Sequence, residues 1–120
     1  MNKELIIDNV EFLNNYIPKL MNAIDEVVGY LITNNETQSL KILQSLMEGL
    51  DWTIRSISSL RELGYVENLN IDEMNQFLIE TEQAFRRKDY VLLGDLLQYE
   101  IARILDNWLK KIESIDGDLI

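Results

Sequence analysis

Apolar residues recur along this chain at steps of three and four, and polar breaks divide them into four or five segments. Segment one, Asn2 to Asn14, places Leu5, Ile6, Val10 and Leu13 at helical spacing with Phe12 beside them. Pro18 follows. It either sits in the first turn of a new helix or kinks one continuous helix. Segment two, Pro18 to Thr33, puts Leu20, Met21, Ile24, Val27, Val28 and Leu31 on one side, and "TNNET" (Thr33 to Thr37) reads as a polar turn with capping residues. Segment three, Glu36 to Leu63, carries the clearest stripe: Leu43, Leu46, Met47, Leu50, Ile54, Ile57 and Leu60. It ends near Gly64, where a left-handed cap costs little. "GYVENLN" (Gly64 to Asn70) is a connector with some apolar content. Segment four starts at Asn70 or Asp72, with Glu73 in the position a capping box requires. Its inner stripe is Met74, Phe77, Leu78, Thr81, Ala84 and Phe85. Asp89 caps segment five, Tyr90 to Ser114, and the tail 115–120 is expected to fray.

Each long segment has one apolar face and a short link to the next. Such helices bury their faces against one another most simply as an antiparallel bundle. The expected fold is all-α: one domain over residues 1–120, an up-and-down bundle of four main helices plus an N-terminal helix over 1–16. Two roles are open for that first helix. It is a permanent fifth member, or a mobile cover for apolar surface that a partner displaces.

Segment five carries more apolar surface than one face needs. At about 100° per residue, Leu93, Leu97, Ile101, Ile104, Trp108 and Ile112 share a face, with Leu105 and Leu109 on its flank. Leu92, Leu96 and Tyr99 form a second stripe beside it, continued by Arg103. A helix touching two neighbours uses such a broad arc as core. A groove or patch for another helix uses it as a docking face, with aromatics as anchors. On the second reading Leu92, Leu96, Tyr99 and Arg103 are candidate partner-binding residues. Trp52 joins them, since it faces away from Leu50 and Ile54 on segment three.

Charge narrows the class of partner. The formal net charge is −10, and each of the stretches 1–69 and 70–120 contributes −5, so the acidity is not confined to a tail. Such a field repels nucleic-acid phosphates and anionic membranes, so neither is an expected partner. The one basic run, Arg86 to Lys88, falls at an expected helix end, where cations favour the carbonyl pole. Nothing in the sequence approaches the ~18 consecutive apolar residues of a membrane span, and "MNKELIIDNVEF" does not read as a secretory signal. The lack of cysteine fits the cytoplasm.

The residues that carry chemistry are sparse. There is no histidine and no cysteine, which removes the usual general base, thiolate nucleophile and metal ligands. The serines of "SISS" (Ser56 to Ser59) have no elbow motif, and the five glycines form no phosphate loop. The acidic pairs Asp25–Glu26 and Asp72–Glu73, and Glu80 with Glu82, read as solvated faces rather than a preorganised oxygen site. The expectation is a non-enzyme with no catalytic residue, cofactor or metal.

The order of segments from "LMNAIDEVVGYL" through "NNETQSLKILQSLMEGLDWTIRSI" to "MNQFLIETEQAFRRKDYVLLGDLLQYEIARILDNWLKKI" resembles the flagellin-binding export chaperones. In those small acidic cytoplasmic bundles a polar turn precedes a long helix and a linker. Two final helices then meet at a "K-x-D" junction, and the last ends in a Trp-bearing segment like "DNWLKKI". The resemblance spans Leu20 to Ile112. The family's tyrosine-bearing N-terminal segment has no match in "MNKELIIDNVEF", although Tyr16 lies nearby. "DYVLLGDLLQYEI" also looks like short helical proteins of Gram-positive bacteria whose function is not established. The resemblance implies a helix-binding, chaperone-like or adaptor role in the cytoplasm, with a protein as partner. The alternative is a structural homodimer in which a second copy covers the apolar arc.

Overall fold

The stripe that begins at Ile6 does not stop at Pro18. In the computed structural model, which describes residues 3–67 and 69–119, α1 runs unbroken from Lys3 to Ile32 with Pro18 inside it. Asn2, Asn68 and Ile120, which fall in the expected first segment, connector and tail, lie outside the described residues. An interior proline removes one helical N–H and costs about 3 kcal/mol. Against that, Ile6, Val10, Leu13, Ile17, Leu20, Ile24 and Val27 are all buried at one continuous helical spacing. Each buried aliphatic side chain contributes about 1.5–3 kcal/mol, so the stripe outweighs the break. The expectation of a separate N-terminal helix over 1–16 is corrected. Residues 3–16 are the first half of α1 and supply core residues, so swinging them away would expose Ile6, Val10 and Leu13.

After α1 come α2 (Glu36–Glu62), α3 (Ile71–Arg86) and α4 (Tyr90–Asp95). The chain passes from α4 through a π-helical turn (Leu96–Ile101) into α5 (Ala102–Leu119), so the last three form one rod. The described residues thus build four helical rods. Of the tail expected over 115–120, residues 115–119 continue α5 as helix.

Three corners close in one way. Asn34, Gly64 and Lys88 have φ of 60°, 82° and 57° and follow the last helical residues of α1, α2 and α3. At each, the next N–H reaches back to a carbonyl of the last turn: Asn35 to Tyr30, Tyr65 to Leu60 and Asp89 to Ala84, at 2.8–2.9 Å. This is the Schellman arrangement, which satisfies carbonyls the helix end would leave open. Asp89 also caps α4, its carboxylate accepting from the Leu92 N–H at 3.2 Å. Asn70 is the N-cap of α3 but its side chain makes no capping bond, and Glu73 turns to Arg103 instead of closing a capping box.

The rods alternate in direction. α1 packs closely against α2 on one side and α5 on the other, and α3 packs against α4 and the π-helical turn. The seam between α2 and α3 is not among the close ones. At 16 residues α3 is much shorter than the 30-residue α1. Below its start the connector takes its place: Val66 is buried, and Lys111 Nζ donates to the Glu67 carbonyl at 3.2 Å. The core runs the length of a body 46 Å long, about the length of a 30-residue helix at 1.5 Å per residue. Trp108, Leu97 and Ile104 of the last rod meet Leu13, Ile17 and Ile24 of α1 and Leu50 and Ile57 of α2 in one cluster.

Candidate partner-binding surfaces

The open α2–α3 seam is a cleft of about 360 Å³. Leu40, Leu43 and Met47 line it from α2, and Thr81 and Phe85 from α3, with Gln44 and Glu82 as the polar members. The lining residues come from one face of each helix. Leu40, Leu43 and Met47 are successive positions of one stripe, while Thr81 and Phe85 are one turn apart. Leu43 and Thr81 are buried at its floor, and Thr81 turns its hydroxyl inward to donate to the Phe77 carbonyl at 2.7 Å. Phe85 is partly exposed at the rim, where Arg86 is engaged by Glu82.

A second cleft, of about 410 Å³, lies between the end of α1 and the start of the last rod. Leu31, Ile32, Val91 and Tyr99 line it, with Gly94, Asp95 and Gln98. Ile32, Val91 and Tyr99 are 76%, 78% and 61% exposed, which makes this the most open apolar patch of the described residues. The π-helical turn contributes to it. An i→i+5 turn inserts a residue into the helical register, so that Leu96 and Leu97 both face the core while Tyr99 stays outside. Next to this cleft the Tyr90 hydroxyl donates to Glu36 Oε1, tying the start of α4 to the start of α2. That bond raises the Tyr90 pKa, with partial burial and the Glu36 charge adding in the same direction.

The five candidate residues do not meet on one surface. Tyr99 lies in the second cleft. Leu92 is partly exposed on α4 but lines neither cleft. Leu96 is 7% exposed and belongs to the core, which corrects its expected place in an exposed stripe. Arg103 bridges helices, its guanidinium bonded to Glu73 of α3 and Glu100 of its own rod, and the two carboxylates raise its pKa. Trp52 belongs to a third place, the outer face of the α1–α2 seam, where it meets Phe12 and Tyr16.

A family model described as a domain of unknown function, DUF8042, matches residues 8–111. The chain belongs to this family. No curated protein and no solved structure matches it. The DUF8042 match runs from within α1 to within α5 and includes the whole of α2 and α3 and the lining of both clefts.

Sequence reading missed the residues that shape the clefts: Leu40, Ile32 and Val91. Leu43, Met47 and Phe85 read as core stripe because a stripe does not reveal whether its partner face arrives. Ile32 and Val91 flank polar turns, and two apolar residues beside turns carry no periodic signal. Among the described residues no cluster of acidic side chains could hold a metal ion, and no helix is long and apolar enough to cross a membrane.

Proposed function

We propose that this DUF8042 protein is a non-enzymatic protein-binding module, chaperone-like or an adaptor, that takes an amphipathic helix of a partner into the α2–α3 cleft. One observation carries the reading: α2 and α3 are not among the closely packed helix pairs, and the cleft between them has a mostly apolar lining. A helix presenting apolar side chains at i, i+3, i+4 and i+7 fills such a groove. Leu40, Met47 and Phe85 would be the walls it grips. The layout shared with the flagellin-binding export chaperones supports a client of this kind, and the cytoplasm fits that resemblance.

A photo-crosslinking residue at position 85 tests the proposal in cells. The expected result is a discrete adduct with a second polypeptide, lost when Met47→Glu places a charge in the cleft. An adduct no stronger than one formed from position 113, on exposed α5 surface, would reject it.

A second reading, a homodimer, is favoured by the exposure of Ile32, Val91 and Tyr99. Light scattering over a range of concentrations separates the two. A dimer split by Val91→Glu supports self-association, and a monomer throughout removes it.

A further inference from the structure

The α1–α2 seam has an outer face that neither cleft uses. Phe12, Tyr16 and Trp52 gather there. Phe12 and Tyr16 stack with centroids 5.3 Å apart and planes at 29°. Trp52 stands edge-on to both, 4.9 Å from Phe12 at 72° and 5.6 Å from Tyr16 at 85°. These contacts gather the three rings into one platform. Phe12 is 50% exposed and Trp52 41%, so the platform keeps much of its apolar surface in water. Leu5, also exposed, extends it along α1.

Carboxylates surround this platform. Asp8 precedes Phe12 by one helical turn and Glu48 precedes Trp52 by one turn, so each shares its neighbour's face. Glu11 and Asp51 lie farther round the same two helices, and all four are exposed. The cations on this side are Lys19 and Arg55, and Arg55 is held by Asp51 at 2.9 Å. Asp8, Glu11 and Glu48 make no ion pair among the described residues. Four negative and two positive groups thus border three aromatic rings, on a chain whose net charge is −10.

Ring faces are negative by their quadrupole and attract guanidinium or ammonium groups placed over them. Carboxylates at the rim add long-range attraction of the same sign. We propose that this face binds a cationic amphipathic segment of a partner protein, arginine side chains on the rings and rim, leucine-like side chains along Leu5 and Phe12. An anionic segment meets repulsion here, and a purely apolar one leaves the rim carboxylates without partners. The surface is separate from the α2–α3 cleft, so this proposal stands or falls independently of the first.

The test uses the full chain and a short labelled helical peptide of leucine and arginine, with a control in which every arginine is citrulline. The arginine peptide should bind and the citrulline peptide should bind about tenfold more weakly or not at all. Trp52→Ala and Phe12→Ala should each weaken binding about tenfold while circular dichroism stays unchanged. In the unaltered chain, saturation with peptide should shield Trp52 from acrylamide quenching, since Trp108 is already buried. Equal binding of the two peptides would overturn the proposal. So would absence of binding at millimolar peptide. Binding that leaves Trp52 as quenchable as before would also overturn it, because net charge alone would then be the cause.

Discussion

The Tyr16 hydroxyl lies directly over Gly49, so close that no side chain could stand at position 49 without moving it. The Leu20 Cδ2 atom is next, 2.8 Å from where a Cβ would be. Glycine in a helix interior costs about 1 kcal/mol relative to alanine, and the close approach of α1 to α2 offsets that cost. Gly49→Ala gains helix propensity but overpacks the seam by about 1–3 kcal/mol. The expected outcome is a net loss of about 1 kcal/mol in urea unfolding. A weaker near-ultraviolet dichroism should accompany it, as Tyr16 is pushed off Phe12 and Trp52.

The last rod divides sharply between core and surface. Leu97 is fully buried and Tyr99 largely exposed. Leu97→Ala should cost about 2–5 kcal/mol as a core truncation. Tyr99→Ala should change stability by no more than about 0.5 kcal/mol. Denaturant midpoints of the two variants check this. A Tyr99 variant as unstable as the Leu97 variant would place Tyr99 in the core.

Gly64 and Lys88 occupy the same left-handed position at two helix ends. A Cβ at Gly64 would meet no atom within 4 Å, so the cost of adding one is purely conformational. Gly64→Ala should destabilise by about 1 kcal/mol, and Lys88→Gly should stabilise by about 0.5–1 kcal/mol. Thermal melting of the pair should show shifts of opposite sign.

The Tyr90–Glu36 bond predicts an alkaline signature. Tyr90 donates only while protonated, and the bond raises its pKa above the usual tyrosine value of 10.0. A group whose pKa is raised on folding contributes stability in full below its unfolded pKa, and loses it as pH climbs through the folded one. The wild-type advantage over Tyr90→Phe should therefore hold from neutral pH to about pH 10 and vanish above it. Tyrosinate absorbance should show a late-titrating contribution from Tyr90 that the variant lacks.

Arg103 and Glu73 join α3 to the last rod through side chains that are about half exposed. Arg103→Ala should cost less than about 1 kcal/mol, an effect that shrinks in high salt.

Much of the architecture was legible in the residues. The stripes of α2 and of the last rod are buried nearly as their spacing implied, and Asp89 caps where expected. Pro18 misled because a lone proline is a stronger local signal than a stripe that passes through it. The steps Leu13, Ile17, Leu20 were nonetheless present in the sequence. Leu96 was misplaced because a π-helical turn shifts register in a way that 100° per residue does not allow. The clefts were hidden for a deeper reason. A stripe says that a face is apolar, and only the lengths and paths of all four rods say which face is left uncovered. The pairing of Trp52 with Phe12 and Tyr16 depends on how α1 and α2 align, which neither helix encodes alone.

The antiparallel packing of α1 against α5 also decides how this molecule can be tethered. Lys3 and Leu119 stand at the same pole, while the turn that carries Tyr90 and Glu36 stands at the other. A fluorescent domain or surface linker attached beside Lys3 or Leu119 would thus leave from the pole opposite Tyr99. A chain in which a linker joins Leu119 to Lys3 and which is reopened at the exposed Asn34 corner should keep the same bundle. Such circular permutants succeed where the joined ends are neighbours and the cut lies in an exposed turn.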